Sequence, residues 1–129
     1  MISSKFPEDD PRYTYACFID AIIQKRYKDA LEYCQLTWVK TTENPVNMLK
    51  QYFDGIEIRR CVYIKTTKTE LNTAVVCDLK VKLEVKMGLI RPLFTKRKYK
   101  PRLIKEKGIR KPDVNGAWGV NPVSALKLI

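Results

Sequence analysis

Apolar positions along the chain change period at Gly55. Before it they recur every three or four residues, the spacing of one helix face; after it they alternate with polar residues, the spacing of a strand with one buried side. In "DDPRYTYACFIDAIIQ", Asp10 is a candidate N-cap and Pro11 occupies the first turn, where its missing N–H is harmless. Tyr15, Phe18, Ile19, Ile22 and Ile23 then form an apolar stripe. After a turn at Lys25 and Arg26, "YKDALEYCQLTW" predicts a second helix through Tyr27, Ala30, Leu31 and Cys34, with Trp38 at its end. A third is predicted in "ENPVNMLKQYFDG": Asn44 as cap, Pro45 in the first turn, Val46, Leu49, Tyr52 and Phe53 as packing face, and Gly55 as left-handed stop.

The second half predicts four antiparallel strands. The first is "IEIRRCVYIKT", where the Arg59–Arg60 doublet breaks the alternation and predicts a bulge that curves the sheet. The clearest is "TAVVCDLKVKLEVKMG". It places Val75, Cys77, Leu79, Val81, Leu83, Val85 and Met87 inward and Asp78, Lys80, Lys82, Glu84 and Lys86 outward. A third strand lies in "KRKYKPRLIKEKGI", interrupted by Pro101, with Leu103 and Ile104 as its buried residues. A turn at Asn115 and Gly116 leads to the short strand "AWGV", and "NPVSALKLI" opens a terminal turn. The 129 residues are read as one domain spanning 1–129, large enough to bury about two-thirds of the surface of the unfolded chain.

The fold class expected is α+β, with N-terminal helices packed against a curved antiparallel sheet. In the helical pair "YACFIDAIIQKRYKDALEYC", the helix "NPVNMLKQYFDG", the long strand "TAVVCDLKVKLEV" and the closing "NGAWGVNP", the chain resembles the nuclear transport factor 2-like, or cystatin-like, superfamily. The resemblance implies a cone-shaped domain whose sheet wraps the first helix, an open end that can form a pocket, and an outer sheet face that often makes a homodimer. A basic insertion over residues 91–111 departs from that pattern.

Charge adds a second theme. Twenty-five basic residues against 14 acidic ones give a formal net charge of +11. Lys96, Arg97, Lys98, Lys100, Arg102, Lys105, Lys107, Arg110 and Lys111 crowd one region in which Glu106 is the sole acid, and Lys80 and Lys82 join them from the long strand. Such a surface attracts phosphate backbones with little sequence preference, or an acidic protein surface. Lysines also keep sheet edges soluble, and charges on both phases of a strand cannot all point one way.

Candidate chemistry is sparse. The chain has no histidine, which removes a His–Asp mechanism, and Cys17, Cys34, Cys61 and Cys77 lack the close pairing of a zinc site. Buried thiols are expected, with a Cys17–Cys34 bridge left open by spacing alone. No metal or cofactor is expected. Within the superfamily, isomerases work with a carboxylate and a tyrosine, and Asp20, Asp78, Tyr15, Tyr52 and Tyr63 supply those residue types. Tyr15, Trp38, Tyr52, Tyr63 and Trp118 are the candidate pocket residues, with Trp118 read as core or pocket wall in preference to a base-stacking platform.

No apolar run is long enough to cross a bilayer, and "MISSKFPEDDPRY" lacks the pattern of a secretory signal, so a cytoplasmic location is expected. The functional expectation is a non-enzymatic interaction or assembly module, homo-oligomeric through its outer sheet. The alternatives are a nucleic-acid-binding protein and a small-molecule isomerase or lyase with a Tyr/Asp pocket.

Overall fold

Asp10 starts the first helix as the sequence predicts, its Oδ1 accepting a 2.8 Å hydrogen bond from the backbone N–H of Arg12. In the computed structural model, which describes residues 6–88, 91–106 and 118–128, this helix is α1, Pro11–Ile23. The Arg12 guanidinium folds back on the same carboxylate at 2.7 Å and holds the Asp10 carboxyl below its ordinary range. Ten of the 13 residues of α1 are buried, so it is a core helix rather than a one-sided one. Ile23, at the end of the predicted stripe, is instead 39% exposed.

Lys25 turns the chain with a left-handed φ of 58°. The second helix is shorter than its spacing predicts: α2 covers only Tyr27–Ala30 and passes into a 3₁₀ turn at Leu31–Tyr33. Cys34 is then extended, forming a parallel bridge with Val120 while the Gln35 N–H donates to the Val120 carbonyl at 2.8 Å. Pairing with the far end of the chain thus overrides local helix preference. Trp38 falls in a separate helix, α3 (Leu36–Thr41), before α4 (Pro45–Phe53), so four α-helices precede the strands where three are predicted.

Asn44 precedes α4 but does not cap it with its side chain; it adopts a left-handed φ of 52°, a conformation Asn tolerates. Leu49 and Phe53 are buried, whereas Val46 and Tyr52, predicted to pack, are exposed. Gly55 ends the segment with φ 78°, as predicted.

The strands are β1 (Ile56–Glu70), β2 (Ala74–Met87), β3 (Arg91–Tyr99), β4 (Arg102–Glu106) and β5 (Trp118–Val120), in one curved, open antiparallel sheet. The order is β1-β2-β4-β5, with β3 also on β2. The bulge at Arg60 is present, with φ 58°, and a second register shift follows between Tyr63 and Lys65. What reads as one third strand is two, because Pro101 has no N–H to donate to the ladder. β3 pairs with residues 81–87 of β2 and β4 with residues 74–78, so the two halves share one side of β2. The break stays attached through a 3.0 Å bond from the Leu79 N–H to the Pro101 carbonyl.

The inner face of β2, with Cys77, Leu79, Val81, Leu83 and Val85, packs in one core with Tyr15, Phe18, Ile19 and Ile22 of α1. Each large side chain buried there contributes about 1.5–3 kcal/mol. Met87, predicted inward, is 47% exposed at the strand end. The C-terminal segment seals the other side: Tyr15 Oη donates to the Ala125 carbonyl at 3.1 Å, and Trp118 Nε1 donates to the Asp9 carbonyl at 3.0 Å.

Candidate interaction surface

Register decides which charges share a face, because directly paired residues of an antiparallel sheet point to the same side. On the outer face, Lys82 is flanked by Val62 of β1 and Lys98 of β3. One row along, Lys80 is paired with Lys65; in the other direction Glu84 lies between Arg59 and Lys96. Lys80, Lys82, Lys96 and Lys98 therefore occupy one surface.

Other candidates go elsewhere. Arg97 is paired with Leu83 and takes the opposite phase, exposed at the sheet margin. Lys105 is paired with Trp118, its Nζ 5.8 Å from the indole centroid, and Lys68 of β1 stands at 5.8 Å from the same ring. Lys100 and Arg102 flank the Pro101 break. Lys107, Arg110 and Lys111 lie outside the described residues, as does the predicted turn at Asn115 and Gly116.

Three acids temper the outer face. Asp78 binds Arg102 at 2.9 Å, Glu57 binds Lys86 at 3.5 Å, and Glu84 meets Arg59 and Arg60, each at 3.5 Å. Glu84, predicted to face solvent, is only 9% exposed, because the bulge at Arg60 brings two guanidinium groups over it. Its Oε2 has ion-pair contact but accepts no hydrogen bond among the described residues. Lys65, Lys80, Lys82, Lys96 and Lys98 form no ion pair among the described residues, so the face keeps its positive charge. Residues 56–129 hold 18 basic and six acidic side chains, against seven and eight in residues 1–55, so the whole excess belongs to the half of the chain that carries the strands.

The candidate pocket residues divide. Tyr15 and Tyr63 are neighbours, with ring centroids 6.4 Å apart and nearly perpendicular planes. Burial pushes both hydroxyls up, holding them protonated, and each donates to a backbone carbonyl, Tyr63 to that of Arg12 at 3.4 Å. Tyr52 is exposed on α4, Trp38 is half-buried at the margin of the core, and Trp118 is buried with its N–H already bonded. Of the acids, Asp20 is buried in α1, while Asp78 is on the outer face with Arg102, the side predicted for it. A cleft of about 410 Å³ opens instead beside the Pro101 break, lined by Asp78, Lys100, Arg102, Asn121, Val123, Ser124 and Lys127. Nothing in the sequence pattern flags this cleft, since its walls come from segments separated by over 40 positions in the chain, Asp78 to Lys127.

No disulfide joins the four cysteines; Cys17, Cys34 and Cys77 are buried thiols and Cys61 is half-buried. The Cys17–Cys34 bridge left open by spacing is not formed, and the Cys34 Sγ lies 3.4 Å from the Ala30 carbonyl. Burial pushes the Cys77 thiol up to about 11 and the Cys34 thiol up to about 12, from an ordinary 9.0. Folding thus favours the protonated thiols. Their contribution is complete below pH 9, and it falls as the unfolded chain loses protons that the folded chain keeps. The two thiols are expected to lower stability between pH 9 and about 11 by up to roughly 2.7 kcal/mol per pH unit together, since each gives about 1.36, with the Tyr15 and Tyr63 hydroxyls steepening the decline above pH 10. Urea melts across that range check this, and a Cys34→Ala/Cys77→Ala variant with an unchanged alkaline slope would refute it.

Compared with protein-family models and with curated proteins, the sequence matches none. Among the described residues, no helix is long and apolar enough to cross a membrane.

Proposed function

We propose that the chain is a non-enzymatic interaction and assembly module of the nuclear transport factor 2-like kind, engaging an acidic partner surface through the outer face of its sheet. The observation that carries this reading is the row Val62–Lys82–Lys98, flanked by Lys80 and Lys96: cations without an ion-pair partner among the described residues, beside a valine that is 57% exposed. Cations beside an exposed apolar contact on the edge strand suit a protein partner, whose carboxylates set the approach while the apolar side chain is desolvated. The order of helices followed by a curved sheet supports the family resemblance.

The second reading is nucleic-acid binding, favoured by the same four lysines. Among the described residues it has no free stacking platform on this face, since Trp118 is buried elsewhere and Phe94 lies 4.0 Å beneath the Arg59 guanidinium. Self-association is a third use of the surface. Two copies meeting face to face would bring the same lysines together, because a twofold contact uses one patch on both partners.

Salt and the choice of polyanion together separate these outcomes. Binding to random-sequence duplex DNA would weaken with a log–log slope of about −3.6 for four phosphate contacts. Self-association through this face would strengthen with salt, as screening relieves repulsion. The proposed reading expects saturable binding to poly-glutamate, reduced at least tenfold by Lys82→Glu with Lys98→Glu and weakened by salt. Unchanged binding by that double variant, or binding to DNA alone, would remove it.

A further inference from the structure

The cleft beside Pro101 is a feature apart from the sheet-face lysines. Its walls are tied together by backbone bonds from three directions. The Lys100 N–H donates to the Lys127 carbonyl at 2.8 Å, the Asn121 N–H to the Arg102 carbonyl at 2.9 Å, and the Arg102 N–H to Ser124 Oγ at 2.9 Å. Ser124 Oγ also lies 2.8 Å from the Asn121 carbonyl, and Asn121 Oδ1 accepts from the Val123 N–H at 3.1 Å, so the polar groups of the tail are fixed in place. The Lys100 N–H points away from β2 toward the C-terminal segment, where Tyr99 and Leu128 form an antiparallel bridge.

Three cations line the resulting space, and one carboxylate is present to offset them. That carboxylate, Asp78, takes Arg102 Nε at 2.9 Å and Nη2 at 3.4 Å, which orients the guanidinium and leaves Nη1 unbonded among the described residues. Neither Lys100 nor Lys127 has an ion-pair partner among the described residues. The net charge of the lining is about two positive units, from three cations and one anion. We infer that this cleft is a binding site for a phosphate dianion, free or carried by a small phosphomonoester, held between Lys100, Arg102 and Lys127. A phosphate monoester carries about −1.5 to −2 charge at neutral pH and offers three acceptor oxygens, which matches the surplus and the number of donors. An oriented guanidinium with a spare N–H suits an oxyanion better than a lone lysine does. The remaining volume, with Val123 68% exposed at its edge, has room for a small organic group beyond the phosphate.

The inference is independent of the sheet-face reading, because it uses none of Lys80, Lys82, Lys96 or Lys98. Its test is titration of the full chain with inorganic phosphate and, separately, glycerol 3-phosphate at constant ionic strength, followed by amide chemical shifts. Saturable shifts confined to the non-proline amides of residues 100–102 and 121–127 are expected, with binding weakened about tenfold in Lys100→Gln and again in Lys127→Gln, and Lys50→Gln on α4 as a control that leaves it intact. Tighter binding of glycerol 3-phosphate identifies the organic ester as the ligand type, and equal or weaker binding identifies free phosphate; either supports the site. Shifts spread evenly over all lysines, saturation by poly-glutamate but not phosphate, or wild-type binding by both cleft variants would overturn it. Thermal melts of the two glutamine variants establish that loss of binding is not loss of fold.

Discussion

Replacing Gly119 with alanine is expected to destabilise the protein by about 3 kcal/mol or more, roughly a fifth to three-fifths of the stability of an ordinary domain. A Cβ at this position would stand 2.5 Å from Gln35 Cα, 2.7 Å from Gln35 N and 2.9 Å from Cys34 C. All three are backbone atoms, so no flexible side chain can swing aside. Relief requires β5 and residues 34–35 to separate, which strains the 2.8 Å bond from the Gln35 N–H to the Val120 carbonyl. Urea unfolding measures the effect directly. A midpoint within error of the wild type would show that the close approach is not required.

Phe18→Ala is the second large effect, expected at about 3–5 kcal/mol with an unchanged urea m-value. Phe18 is fully buried in α1 and meets Phe53 of α4 edge-to-face, with centroids 5.7 Å apart. Truncation removes its transfer free energy and leaves a void between two helices. A double cycle with Phe53→Ala isolates the ring pair, for which about 0.5–1.5 kcal/mol of coupling is expected. Tyr52→Ala, one residue away but 39% exposed, should change stability by only about 0.5 kcal/mol. Equal losses at Phe18 and Tyr52 would contradict the packing described.

The contrast between Tyr52 and Phe53 also shows how far the sequence could be read. Where a residue's fate depends on its own neighbours along the chain, the pattern was sufficient: the Asp10 cap, the Gly55 stop, the bulge at Arg60 and the alternation of β2 all follow from local rules. Where the fate depends on a distant partner, it was not. Helix continuation through Cys34 is prevented by Val120, and Glu84 is covered on the outer face by Arg59 and Arg60. The basic run shows the same division. Its existence is compositional and plain, but the register alone distributes Lys98 to the outer face, Arg97 to the other and Lys105 onto Trp118. The cleft at Lys100 was beyond any local rule, since it is made by a tail folding back onto a broken strand.

"NGAWGVNP" carries its own resolution within the described part. Trp118 bonds its indole N–H to the Asp9 carbonyl, Gly119 admits the backbone of Gln35, and Asn121 caps the last turn. The first two are closures of the fold, joining the closing strand to the helical first part of the chain. During synthesis, Tyr15 and the peptide at Asp9 emerge from the ribosome over 100 residues before their partners Ala125 and Trp118. A nascent chain therefore leaves Tyr15 and the Asp9 peptide without these partners until residues 118–125 have cleared the exit tunnel, after α1 and β2 are already free to pack.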